Sequence, residues 1–271
     1  MPTEIQRANA KLTLSLKVNG KREDGYHFIQ SEMVTLDFCD VLSFFEGDNL
    51  EIINNTDFDL EDVLSLGQEN LVNKALRMSN RKAFVRLEKN IPPGAGLGGG
   101  SANAAAVLRW ASFRDISMSS KLGSDVAFCL LGGRAIVEGV GERITPLAYE
   151  PRDFTLLIPP VHVSTPDVYS KWDELYGQQS FENEDDFHFD VVKSRFQNDL
   201  EQAALAVQPK LLAWKNLLAS LTNSKPIMAG SGSSFFVEGA FKQLEGPIRL
   251  PGGEGPSGKV IIARTIPSYD S

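Results

Sequence analysis

From Lys11 to Val18 apolar and polar side chains alternate: Leu12, Leu14, Leu16 and Val18 against Lys11, Thr13, Ser15 and Lys17. A period of two predicts a strand with one buried face and a polar face opposite. A charged turn follows between Gly20 and Gly25, then two strand runs, about 31–38 and 41–46, before the Asp48-Asn49 turn. Past Gln68 the period changes. Leu71, Ala75 and Met78, with Val72 and Leu76 beside them, predict a helix. A short strand over 83–88 is closed by Pro92-Pro93, which no helix interior tolerates. Helices are expected over 102–113 and 122–131, and strands over 134–138 and 154–158. The last third reads as one long amphipathic helix over 199–221, a glycine/serine loop over 228–234, and strands over 235–238 and 259–264. Between those strands, 246–258 is a loop rich in glycine and proline. Residues 173–190 hold seven acidic side chains and no Lys or Arg, and are expected to be a solvated, mobile insertion. Strands and helices mix without strict alternation, which predicts an α+β fold. Three glycine-rich segments from distant parts of the chain suggest two lobes, 1–150 and 151–271, with a cleft that gathers them.

Composition narrows the function classes. The chain has 271 residues, 42% hydrophobic and 23% charged, an ordinary globular balance. Its 27 basic against 35 acidic residues leave a net charge of −8. That is a poor electrostatic footprint for nucleic-acid binding. Cys39 and Cys129 cannot form a disulfide framework and read as buried apolar residues in a reducing compartment. The first ten residues lack the apolar core of a signal peptide, and no apolar run approaches the ~18 residues of a membrane span. The expectation is a cytoplasmic protein with no membrane partner.

The strongest chemical feature is Pro92-Pro93-Gly94-Ala95-Gly96-Leu97-Gly98-Gly99-Gly100-Ser101-Ala102. Five glycines let backbone N–H groups converge, and the loop opens directly into a helix, whose free N–H groups and dipole favour an anion. No Lys follows as in a Walker A loop. The spacing satisfies a dinucleotide fingerprint, but no strand with a closing acid follows at the required offset. A flexible linker is the bland alternative. Three scattered histidines and no cysteine pair give no metal-ligand signature, so no protein metal site is expected.

The loop resembles the phosphate loop of the GHMP small-molecule kinases. Other segments resemble the 4-diphosphocytidyl-2-C-methyl-D-erythritol kinase branch of that family, in the same order along the chain. They are Lys11 to Leu14, Gly20 to His27, Leu122 to Val126, Gly139 to Glu142, Ser164 to Pro166, Asn198-Asp199, and Met228 to Ser233. The resemblance implies an α+β two-lobed kinase using ATP and Mg²⁺. Its small-molecule substrate would be the cytidyl diphosphate of methylerythritol, phosphorylated at the 2-hydroxyl, and the protein would be a monomer or homodimer. It implies Asp125 as the base and Lys11 as its partner. Asn70, Leu71 and Lys89 would line the nucleotide pocket with residues 92–102. Thr13, Tyr26, His27, Phe196, Gly230, Ser231 and Gly232 would hold the substrate. Read without it, Asp125 is a helix N-cap, Lys11 a solvated lysine, Tyr26 a core aromatic and His27 an exposed imidazole. The rival functions are another GHMP kinase, of the homoserine or mevalonate type, and a silent nucleotide-binding relative. Against the family pattern, Thr13 replaces a usual Asn. The 103–122 stretch is also shorter by roughly nine residues, about two and a half helical turns.

Overall fold

The computed structural model describes residues 1–56, 58, 69–177, 196–252 and 255–269. It is built on a long antiparallel ribbon, β1 (Glu4–Lys21) against β2 (His27–Phe45). The ribbon runs from Glu4 opposite Phe44 to Lys21 opposite His27, and its register shifts at three points, one of them between Asn9 and Lys11. Such irregularities bend a strand pair and re-aim its side chains. One half of β2 pairs with β4 (Phe84–Lys89), which carries β3 (Asn49–Asn54) in parallel. The other half pairs with β5 (Arg134–Gly139), which carries β6 (Arg143–Leu147). The second sheet has the order β10 (Gly246–Ile248), β11 (Gly258–Arg264), β7 (Asp153–Ile158), β9 (Phe235–Glu238) and β8 (Ile227–Met228), all antiparallel.

Helices cover the sheets. α1 (Leu71–Met78), α2 (Gly99–Trp110), the single turn α3 (Ile116–Ser119) and α4 (Val126–Leu131) go with the first sheet. The alanines of α2 let it pack closely on β1, and with Val126, Phe128 and the apolar faces of β2, β4 and β5 they form one core. α5 (Thr165–Tyr176), α6 (Glu201–Val207) and α7 (Lys210–Thr222) enclose a core with Leu157, Phe235 and Val260 of the second sheet. A third core, with Leu12, Leu14, Leu36, Leu97 and Phe236, lies where ribbon, phosphate loop and second sheet meet.

The mixed α+β class matches the expectation, and several elements differ in detail. The runs 31–38 and 41–46 are one unbroken strand. β1 is buried on both faces: Lys11, Thr13 and Ser15 are as enclosed as Leu12 and Leu14, because the polar face lines an internal cleft. The expected helix over 199–221 breaks at Gln208-Pro209, since proline forces its predecessor out of helical backbone. The expected helix over 122–131 begins only at Val126, after a 3₁₀ turn at 120–122. Asp173 and Glu174 belong to α5, and half-buried Asp173 is held in ion pairs, so the acidic stretch does not begin as a solvated segment. Residues 178–190 of that stretch lie outside the described residues. Cys129 is buried as expected, whereas Cys39 is half-buried.

Candidate active site

The phosphate loop leads into α2 through Gly98, whose φ of 67° is the left-handed conformation that glycine adopts without strain. The first bond of the helix runs from the Ala102 N–H to the Gly98 carbonyl at 2.8 Å. The amides of Gly99, Gly100 and Ser101 are therefore left facing the cleft, as at any helix N-terminus. A Cβ at Gly96 would stand 2.1 Å from the Ala229 carbonyl oxygen, so only glycine lets the 228–234 loop come this close. The Ser233 and Ser234 amides donate to the Gly94 and Ala95 carbonyls at 3.1 and 3.2 Å, strapping the two glycine loops together. Asn198 braces the second loop, its amide donating to the Met228 and Gly230 carbonyls at 2.8 and 2.7 Å. Ser231 meets Thr165 of α5 at 2.7 Å, hydroxyl to hydroxyl.

Lys11 and Asp125 come together at the mouth of this cradle. Lys11 Nζ lies 3.2 Å from Asp125 Oδ2 and donates to Thr13 Oγ1 at 3.0 Å. Lys11 is 5% exposed, so it is not a solvated surface lysine. A register shift precedes it on β1, and its amide donates to the Leu97 carbonyl of the loop at 3.0 Å. Asp125 stands at the start of α4, yet its side chain makes no capping hydrogen bond; it turns to Lys11 instead. The trimmed 103–122 stretch thus still delivers the carboxylate to the cleft. Thr13 occupies the place of an expected Asn by accepting from the lysine.

A cavity of about 500 Å³ joins these parts, lined by Lys11, Thr13, Asp125, residues 92–101 and 230–232, and Asn70, Leu71 and Lys89. Ala102 is absent from that lining and packs into the apolar core. The substrate residues divide. Tyr26 is 63% exposed, while His27 is buried, the reverse of the unaided sequence reading. His27 Nε2 lies 2.6 Å from Asp173 Oδ1, and its ring stacks on Tyr169 at 4.7 Å with Trp172 edge-on at 5.7 Å. Lys21 donates to the other Asp173 oxygen at 2.7 Å. Burial raises the Asp173 carboxyl, but its bonds from Lys21 and His27 outweigh that and hold it below the usual 3.8. Neither Tyr26 nor His27 lines the cavity; Tyr169, which stacks on His27, does. Phe196 packs edge-on to Phe236 at 5.7 Å, under Arg152, with no ring contact to residues 26–27 among the described residues.

Sequence reasoning missed Asp40. Wholly buried on β2, it accepts from the Asn90 and Ile91 amides at 2.7 and 2.8 Å and from Asn103 Nδ2 at 2.7 Å, and it pairs with Lys89. One carboxylate thus fixes the entry to the phosphate loop, the second turn of α2 and a cation in the cavity wall. A Cβ at Gly99 would lie 3.0 Å from Lys89 Nζ, which places that charge beneath the cradle. An acid inside the apolar run of β2 was the available signal, because a buried carboxylate needs partners.

Residues 70–133 match the GHMP kinases N terminal domain. The 4-diphosphocytidyl-2-C-methyl-D-erythritol kinase of Persephonella marina is 36% identical over 259 residues, covering 87% of this chain and 91% of the relative. The chain belongs to this kinase family. The family's Clostridioides difficile member is 32% identical, with 88% of this chain and 87% of the relative covered. A crystal structure of 4-(cytidine 5'-diphospho)-2C-methyl-D-erythritol kinase superposes with a TM-score of 0.67 at 31% identity, covering 88% of this chain and 90% of the other. Mevalonate kinase shares the fold at 12% identity, with a TM-score of 0.56 and coverage of 98% and 100%. Among the described residues no helix is long and apolar enough to cross a membrane.

Proposed function

We propose that the chain transfers the γ-phosphoryl group of ATP to the 2-hydroxyl of 4-diphosphocytidyl-2-C-methyl-D-erythritol, in the methylerythritol phosphate route to isoprenoids. The observation that carries the reaction is the Lys11–Asp125 pair, 3.2 Å apart at the mouth of a glycine cradle. Asp125 accepts the proton of the substrate hydroxyl. The carboxylate lies beside the Lys11 ammonium, and phosphoryl transfer asks little of its base because its transition state is loose and bond-making is slight. Lys11 orients Asp125 and stabilises charge on the transferring group. Thr13 holds the same ammonium through its hydroxyl oxygen, which accepts from Lys11 Nζ. The amides of 99–101 take the phosphate oxygens, and Asn70, Leu71 and Lys89 take the rest of the nucleotide.

Among the described residues no three His, Cys, Asp or Glu converge to cage a metal. The Ser101 hydroxyl lines the cavity and is the protein donor that suits Mg²⁺ arriving on the triphosphate, which supplies charge neutralisation when bound. Tyr26, His27 and Phe196 form the cytosine end in this reading. Asp173 holds His27 in place. Each sheet draws its strands from one side of residue 150, which supports lobes of 1–150 and 151–271. The same reading sets a soluble small-molecule kinase in the cytoplasm, as monomer or homodimer, with no nucleic-acid or membrane partner.

Coupled ADP release with and without the cytidyl substrate tests the assignment. Substrate-dependent release that Asp125→Asn lowers by on the order of 10²–10⁴ supports it. Turnover of homoserine or mevalonate in its place, or none at all, refutes it.

A further inference from the structure

A second cavity, of about 660 Å³, opens at the C-terminal ends of α2 and α4, beside β1. Three arginines line it: Arg7 on β1, Arg109 in the last turn of α2, and Arg114 just beyond. No carboxylate shares that lining among the described residues, although the chain carries a net charge of −8. Asp115, next in sequence to Arg114, is turned away and accepts from the Met118 amide at 2.9 Å.

The three cations are not equivalent. Arg109 is fixed: Nη1 donates to the Cys129 carbonyl at 2.7 Å, Nη2 to the Arg7 carbonyl at 2.8 Å, and the guanidinium lies 3.9 Å from the centroid of the Tyr269 ring. There it offsets the negative ends of the α2 and α4 dipoles, which would otherwise repel an anion. The Arg7 guanidinium has no hydrogen-bond or ion-pair partner among the described residues. Among the described residues the Arg114 guanidinium makes only a 3.3 Å bond to the neutral carbonyl of Phe113. Like charges gathered around one hollow repel, and a guanidinium's planar fork is matched by phosphate oxygens. Asn9, joined to the Tyr269 hydroxyl at 3.3 Å, adds a polar wall, and Leu131 an apolar one.

We infer that this cavity is a second ligand site, taking a phosphate- or diphosphate-bearing small molecule. Arg7 and Arg114 grip the anion, and Arg109 is the rigid platform between them. The occupant would rest against β1, which carries Lys11 two residues beyond Asn9, and against α2 and α4, whose other ends carry the phosphate loop and Asp125.

The test is calorimetry with inorganic pyrophosphate, run without Mg²⁺ and with the nucleotide site saturated by adenylyl imidodiphosphate. Saturable one-to-one binding is expected. Arg7→Ala/Arg114→Ala should weaken it at least about tenfold, the effect of losing charge-assisted hydrogen bonds. Both side chains are exposed, so melting temperature and basal kcat should stay unchanged. The exposed pair Lys210→Ala/Lys225→Ala removes the same charge elsewhere and should leave binding intact. The inference is overturned if pyrophosphate does not bind, if the nucleotide analogue abolishes binding, or if the control pair weakens it equally.

Discussion

Replacing Asp40 by Asn tests whether the carboxylate under the phosphate loop is held by charge or merely by shape. The substitution is nearly isosteric, and the oxygen facing the Asn90 and Ile91 amides can remain an acceptor. The other oxygen becomes an amide nitrogen, which would point its hydrogens at Lys89 Nζ and Asn103 Nδ2. Lys89 is 2% exposed and would be left an unpaired buried cation. Removing one partner of such a pair costs about 3–5 kcal/mol. At about 2–4 °C per kcal/mol for a large domain, the melting temperature should fall by roughly 6–20 °C. Asp40→Asn/Lys89→Met removes both charges while keeping volume, and should recover more than half of that loss. ATP affinity should stay weak in the double variant, because the cation in the cavity wall is gone. Thermal scans of wild type, both single variants and the double, with ATP titrations on each, supply the measurement. If Asp40→Asn melts within about 2 °C of wild type, or the double variant is no more stable than Asp40→Asn, the charge account fails.

Thr13→Val should lower kcat with little change in the KM for ATP, since it removes the acceptor that holds Lys11 Nζ; an unchanged kcat would make that bond idle. Gly98→Ala should weaken ATP binding, because φ of 67° is strained for alanine and the new Cβ meets Lys11 Cγ at 2.7 Å; unaltered ATP affinity by calorimetry would contradict it. Asp173→Asn should lose stability at neutral pH. A carboxyl held below 3.8 stabilises the fold above that value and stops doing so as pH falls through its lowered folded value, so urea titrations should show the gap to wild type closing only below about pH 4. Burial pushes the Cys129 thiol up to about 12 and also raises Cys39, so both should alkylate slowly at pH 7; rapid labelling of Cys129 would show that its core opens.

Local order was legible where one face is buried or a breaker stands. The alternation from Leu12 to Val18 and the helix-period apolar residues after Gln68 placed β1 and α1, and the glycine run placed the cradle. What stayed hidden depended on burial that periodicity cannot report. Lys11 and Thr13 look solvated in a half-buried strand, yet their face lines the cleft. Asp40 fell in the apparent break between the runs 31–38 and 41–46, which the structure closes into one strand. Ser164 with Pro166 is a helix-start signature, and it marks α5, which the acidic residues after Trp172 obscured. Pro209 alone divided α6 from α7. The exposures of Tyr26 and His27 are the reverse of intuition because Asp173, far along the chain, supplies the buried imidazole with a partner.

The ribbon strand β1 has a consequence for how the cleft can move. Its Leu16 amide and carbonyl bond to Gln197 and Asp199 at 2.8 and 2.9 Å, and its Val18 amide to the Asp199 carboxylate at 3.0 Å. Its Lys11 amide holds the phosphate loop, and from β2 the Thr35 carbonyl takes the Ile266 amide at 2.9 Å. Chain from both sides of residue 150 is thus stitched to one ribbon, and a hinge opening would have to unpick several backbone bonds at once. Rigid-body rotation is the expensive route for admitting substrate. Cheaper freedom lies in side chains and loop tips at the rim, such as exposed Tyr26, so the enzyme should behave as a fixed anvil with mobile fingers rather than as a jaw.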